Sequence, residues 1–189
     1  VGLLIRIWRP SIGRRLVAGF SALALLAAAP TAMAVASSLE LAVKATYLYK
    51  LAPFVTWPTA GSVADGPLLI CVQADEDFSA LLTRAASGQS MDGRPFVVRR
   101  TPRLDAQLGC RIAYVAGSPE QSQALALRAL AGAPVLTVTD EQRGGPARGI
   151  VHLVLAGGKV RFAIDVSQAA NARLEISSKL LALATAVKR

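Results

Sequence analysis

The chain has 189 residues, 53% of them hydrophobic and 17% charged, with 21 Lys and Arg against 12 Asp and Glu and a formal net charge of +9. That length is the size of one domain, able to bury a proper core without metal or several covalent staples. Much of the positive charge stands at the start. Arg6, Arg9, Arg14 and Arg15 precede an apolar run from Leu16 to Ala29, broken by Gly19 and Ser21, and Ala32-Met33-Ala34 has the small-x-small pattern of a cleavage site. These features predict a cleaved signal peptide over residues 1–34 and a domain over 35–189. A retained anchor would need about 20 mostly apolar residues, and Pro30, Thr31 and the alanine-rich composition favour removal, leaving no stable membrane insertion. Without the four leader arginines, 17 basic residues face 12 acidic ones, a net +5. Arg99, Arg100 and Arg103 cluster, but export separates the chain from nucleic acid, so the charge suits an anionic membrane surface or an acidic partner.

The stretch from Val43 to Pro58 has apolar residues at helical spacing, Leu41, Ala45, Leu48, Ala52 and Val55, with Tyr47, Leu51 and Phe54 on a neighbouring line. Ser37 and Glu40 form a capping box that predicts the helix start. Pro53 ends or kinks it, and Trp57, preceding Pro58, is held extended. Thr59 to Gly66 reads as a loop, and Pro67 to Gln73 as a strand buried on both faces. Asp75, Glu76 and Asp77 mark the first turn of a helix with Phe78, Leu81, Leu82 and Ala85 on its apolar face, ended by Gly88. Met91 to Arg94 turns into a strand, Pro95 to Arg100, and Arg111 to Ala116 makes another.

Ser118 and Pro119 predict a helix start, with Leu125, Leu127, Ala129 and Leu130 carrying the helix to Gly132. Pro134 to Thr139 is the next strand. Strand and helix therefore alternate as in a mostly parallel α/β sheet with helices packed on its faces. The loop Asp140 to Gly149 leaves a strand's carboxyl end, where open sheets hold ligands, so Asp140, Arg143 and Arg148 are the candidate small-molecule contacts. Ile150 to Leu155 and Lys159 to Val166 form a hairpin turned at Gly157-Gly158. Alternation puts Val160, Phe162 and Ile164 inward, with Lys159, Arg161, Ala163 and Asp165 outward. A short helical segment, Ser167 to Ala172, precedes a last helix capped by Ser177 or Ser178, with Leu180, Leu183, Ala184 and Val187 as its buried stripe.

Cys71 and Cys110 stand in an exported chain, where thiols are oxidised, and come within bridging distance if their strands are neighbours. Two buried small hydrophobes are the alternative. Their spacing excludes a CxxC redox pair, and two thiols are too few for a structural zinc site, so a Cys71–Cys110 staple is expected. His152 is the sole histidine, flanked by apolar Val151 and Leu153 in a strand, and reads as structural. GxSxG, GxxxxGK[ST], HExxH and GxGxxG are all missing. The acidic run at Asp75 suits a helix N-terminus better than a metal. These readings predict a binding protein with no cofactor, and no enzyme.

Lys44-Ala45, Leu48-Tyr49, Phe54 and Trp57-Pro58, with Ile176 to Leu181 far downstream, resemble the opening and closing signatures of the YfiR-like family. Cys71, Gly93-Arg94, Cys110, Pro134 to Val138, Gly149-Ile150 and Arg161-Phe162 follow the family's order between them. The resemblance implies a periplasmic α/β regulator that inhibits an inner-membrane diguanylate cyclase, lowering cyclic di-GMP, and is itself sequestered by an OmpA-like outer-membrane lipoprotein. A second copy of the chain is a further candidate partner. Some relatives carry more cysteines; with two, this chain has none for a second bridge. The expected partner surface is the hairpin and the segment after it, through Arg161, Asp165, Arg173 and Lys179, with Tyr47 and Trp57 as the alternative region. A periplasmic small-ligand sensor or solute-binding protein is the competing function.

Overall fold

The computed structural model describes residues 29–58 and 66–189, with side chains from Ser38 onward. The expected leader therefore lies outside the described residues as far as position 28, as does most of the loop expected after Pro58. The first element is helix α1 (Ala29–Leu51), which runs on through Ala52–Phe54 as a 3-10 turn at Pro53 and leaves into strand β1 (Val55–Thr56). Ser37 is thus not its start. Alanine-rich sequence favours helix, the backbone is already helical at Ala29, and Glu40 pairs forward with Lys44. The expected inward line holds, with Ala45, Leu48, Ala52 and Val55 buried and Leu41 half-buried at its start.

Strand β2 (Leu68–Gln73) is followed by α2 (Glu76–Ala86), whose first turn is capped by the Asp75 carboxylate accepting from Phe78 N–H. A short β3 (Ser90–Met91) turns through Asp92 and Gly93, both at positive φ, into β4 (Arg94–Arg100). Next come β5 (Ile112–Val115), α3 (Gln123–Ala129) and β6 (Leu136–Asp140). Helix α3 begins four residues later than Ser118-Pro119 suggested, because Ser122 caps it. Ser118 Oγ instead accepts from the N–H groups of Glu120 and Gln121 and donates to Pro102 O, closing a turn. The hairpin β7 (Val151–Ala156) and β8 (Lys159–Asp165) turns at Gly157 and Gly158, both at positive φ as a tight two-residue turn requires. The chain ends with α4 (Val166–Asn171), β9 (Glu175–Ile176), α5 (Ser178–Leu183) and β10 (Ala186–Lys188).

The main sheet has the order β10-β8-β7-β6-β5-β2-β4-β3. Its centre, β4-β2-β5-β6-β7, is parallel throughout, the doubly wound order in which the chain reverses direction across the sheet between β2 and β5. The β7–β8 and β3–β4 pairs are antiparallel. Strands β6 and β7 are parallel neighbours joined by a loop instead of a helix. That loop must return closely: Gly149 and Ile150 donate to the hydroxyls of Thr139 and Thr137, and a Cβ on Gly149 would lie 2.8 Å from Thr137 O.

Alternation sorts the core into two layers. Ile70, Val72, Ile112, Tyr114, Leu136 and Val138 face the side covered by α1 and α2, while Cys71, Ala113 and Val115 face α3 with Leu104 and Val135. Both faces of the central strands are covered, which is why they read as continuous apolar runs. The α/β class and the mostly parallel sheet are as the sequence implied.

The C-terminal end departs from expectation. Helix α5 stops at Leu183, Thr185 bonds twice to Phe162 O, and Ala186–Lys188 adds to β8 as a parallel edge strand. The free edge of β8 offers unpaired backbone groups that a β-branched Thr-Ala-Val segment can satisfy. Leu183 and Val187 are consequently exposed, and only Leu180 of the expected stripe is fully buried. A second small ladder, β1 against β9, sets Val55 opposite Ile176 and ties the exit of α1 to the entry of α5.

Candidate functional site

Lysine is among the residues least often buried without a partner, yet Lys44 is 1% exposed. Its ammonium lies 2.8 and 2.7 Å from the two carboxylate oxygens of Asp140 and 2.5 Å from Glu40, one helical turn back. Asp140 also accepts from Tyr114 OH at 3.1 Å and from Gln142 N–H at 3.0 Å, so its acceptor capacity is filled. Burial, then the Asp140 carboxylate, pushes the Tyr114 phenol well above its ordinary value. Phe78 stacks on the same ring at 4.4 Å.

This cluster occupies the carboxyl ends of β5 and β6, where the sequence placed a ligand. Asp140 is not a loop contact: it is the last residue of β6 and is bound by the protein's own lysine. Arg143 pairs with Asp75 and lies 5.8 Å over Phe78, and Arg148 is exposed. The three residues expected to share a ligand therefore do different work. At the reversal point between β2 and β5, buried Gln73 bonds Pro102 O, Gln121 O and Gly117 N–H, so its amide is engaged within the protein.

An open apolar surface lies on the outer side of α1. Tyr47 divides a groove into two hollows, its ring edge-on to Phe162 at 5.9 Å. One, of about 540 Å³, is lined by Leu39, Val43, Phe54, Phe162, Leu180 and Leu183. The other, of about 660 Å³, runs from Val43 and Tyr47 to Leu155, Val160 and Arg161 on the hairpin. Leu39 and Leu183 are 65% and 63% exposed. Lys50, Lys159 and Arg161 edge the two hollows and are exposed, while Glu40, the acid in the groove, is turned to Lys44.

Of the residues expected at a partner surface, Tyr47 and Arg161 meet in this groove. Asp165 does not project. It is 8% exposed, caps α4 by accepting from Gln168 N–H, and receives Lys188 at 2.9 Å. Alternation failed there because the strand ends at that residue and its carboxylate turns to the next helix. Arg173, at φ +58, contacts Gly132 O; Lys179 is exposed on α5; Trp57 belongs to a separate cleft. The exposed apolar residues of the groove were missed because Leu183 was assigned inward. A lysine one position before buried Ala45 and four after Glu40 was the available signal for the ion cluster.

Cys71 and Cys110 are bonded, with Cα atoms 5.7 Å apart, one on β2 and the other just before neighbouring β5. His152 is buried and its Nδ1 lies 3.0 Å from Thr139 Oγ1; burial and Arg148 hold its pKa below the ordinary value, so it stays neutral and structural.

Asp75 and Asp165 titrate below the ordinary carboxylate range. Burial opposes this in both, but it is outweighed by the capping N–H groups of Phe78 and Gln168 and by Arg143 and Lys188. A lowered folded pKa contributes stability that is present above the unfolded value, about 3.9, and lost as pH falls through the folded value. Thermal unfolding should therefore show a midpoint that drops below about pH 4. Asp165→Asn keeps the cap and should make that drop shallower; an identical pH profile would remove Asp165 from the account.

A family model described as YfiR/HmsC-like matches residues 41–185, from the first buried turns of α1 to just past α5. No curated protein matches the chain. The matched span covers more than half of the sequence and holds Lys44 and Asp140 of the ion cluster, both cysteines and the groove residues apart from Leu39 and Glu40. The chain belongs to the YfiR/HmsC-like family.

Proposed function

We propose that this protein is a periplasmic regulator that restrains an inner-membrane diguanylate cyclase by holding an acidic, amphipathic segment of the cyclase's periplasmic part in the groove beside Tyr47. The family is one of periplasmic regulators, which supports the compartment and the regulatory role. The disulfide belongs to an oxidising compartment, and no helix among the described residues is long and apolar enough to cross a membrane. The observation that carries the reading is the groove itself: exposed Leu39 and Leu183, with Val43 and Tyr47, form a contiguous apolar face on rigid elements. Its cationic edge, Lys50, Lys159 and Arg161, complements acidic side chains and disfavours basic ones. Restraint follows if the groove binds the inactive state of the cyclase better than the active one. Release by an OmpA-like outer-membrane lipoprotein belongs to the same reading, as competition for the regulator.

Leu183→Glu and Arg161→Glu test it. Both positions are exposed, so folding should be unchanged, and affinity for the purified periplasmic region of the cyclase should fall about tenfold or more through lost apolar contact and like-charge repulsion. Cells carrying either variant should have raised cyclic di-GMP, more surface attachment and less swimming. Wild-type affinity and wild-type cyclic di-GMP in both variants would rule out this groove.

A further inference from the structure

A second opening lies at the other end of the sheet. Trp57 and Pro58, leaving β1, face the amino ends of β2, β4 and β5 across a cleft of about 450 Å³, where Leu68, Arg94 and Arg111 stand at or just before the first positions of the three strands. The Arg111 guanidinium lies 5.9 Å from the centre of the Trp57 ring. Arg111 is half-buried, and among the described residues its guanidinium makes no hydrogen bond and no ion pair. A guanidinium withdrawn from water without an acceptor is costly, and stacking on an indole offsets only part of that cost. Arg94 adds a second positive charge to the same cleft while its Nε donates to Gly66 O at 2.7 Å. Burial, then the repulsion from Arg94, lowers the pKa of Arg111. The indole Nε1–H of Trp57 is also buried without an acceptor among the described residues. Asp92 stands on the cleft wall, exposed at a turn.

Donors in excess, a fixed guanidinium plane and a nearby second cation are the features of an oxyanion site. Pro53, Val55 and Met91 supply apolar wall beside it, and the volume is in the range of small-molecule sites. We propose that this cleft binds a small organic anion, its carboxylate or phosphate held by the fork of Arg111 with Arg94 and its apolar body laid against Pro53, Val55 and Met91. The site is separate from the Tyr47 groove. Because β1 pairs with β9, just before α5, occupancy would also stiffen the junction that positions one wall of that groove.

The test uses three probes, benzoate, inorganic phosphate and neutral benzyl alcohol, titrated calorimetrically into the wild-type protein. Benzoate should bind saturably and benzyl alcohol about tenfold or more weaker; phosphate binding at the same residues would assign the site to phosphate-bearing molecules, and benzoate binding alone to carboxylates. Arg111→Met should weaken anion binding about tenfold or more, with Arg111→Lys partly restoring it. Arg94→Met, which leaves the Trp57 stack in place, should also weaken it and serves if Arg111→Met folds poorly. Leu183→Glu, in the groove, should not change it. Failure of both anions to bind the wild type, equal binding of benzyl alcohol, or undiminished binding in the arginine variants would overturn the site without touching the groove proposal.

Discussion

Lys44→Met should destabilise the fold by about 3–5 kcal/mol, the cost of leaving a buried charge without its partner. The Asp140 side chain is 0% exposed and would keep only Tyr114 OH and Gln142 N–H as donors once the ammonium is gone. Removing both charges tells a different story. Lys44→Met with Asp140→Asn keeps an acceptor for Tyr114 and leaves Glu40 able to turn to water, so most of the lost stability should return, to within about 1–2 kcal/mol of wild type. Urea unfolding midpoints at constant m-value decide the matter. A loss below about 1 kcal/mol in the single variant would show that the cluster does not anchor α1. The effect should reach function too, because Leu39, Val43 and Tyr47 sit on the helix that Lys44 holds to the sheet. Groove binding should weaken in Lys44→Met and recover with the double variant.

Loss of the disulfide should be comparable in size. Cys71 and Cys110 are separated by 39 positions, and the chain-entropy model puts the stabilisation from closing a loop of that length at about 4 kcal/mol. The native environment raises the stake. On this face the sheet is covered by α3 and the segment around Leu104, with a smaller set of buried apolar residues than on the face under α1 and α2. Cys71→Ala with Cys110→Ala should lower the urea midpoint strongly without opening an unpaired polar site. An unchanged midpoint would mean that the unfolded chain is already compact without the crosslink.

The sequence determined those features that rest on local periodicity and local chemistry. Alternation and apolar runs marked the central strands, Asp75 marked the start of α2, Gly157-Gly158 marked the hairpin, and the family-specific residues from Lys44 to Leu181 marked the membership later found over residues 41–185. Signals of this kind lie within a few residues of the structure they specify, so composition and spacing are sufficient to read them. The tertiary structure decided whatever depends on residues far apart in the chain meeting in space. Lys44 is buried because Asp140, 96 positions away, is there to receive it. Asp165 turns inward because α4 and Lys188 offer donors, and the last residues form a strand because β8 has a free edge. Arg111 meets Trp57 only because β1 folds back over the amino ends of the parallel strands. In each case the local preference of the segment is weak, and burial, charge pairing or an open backbone edge supplied from elsewhere outweighs it.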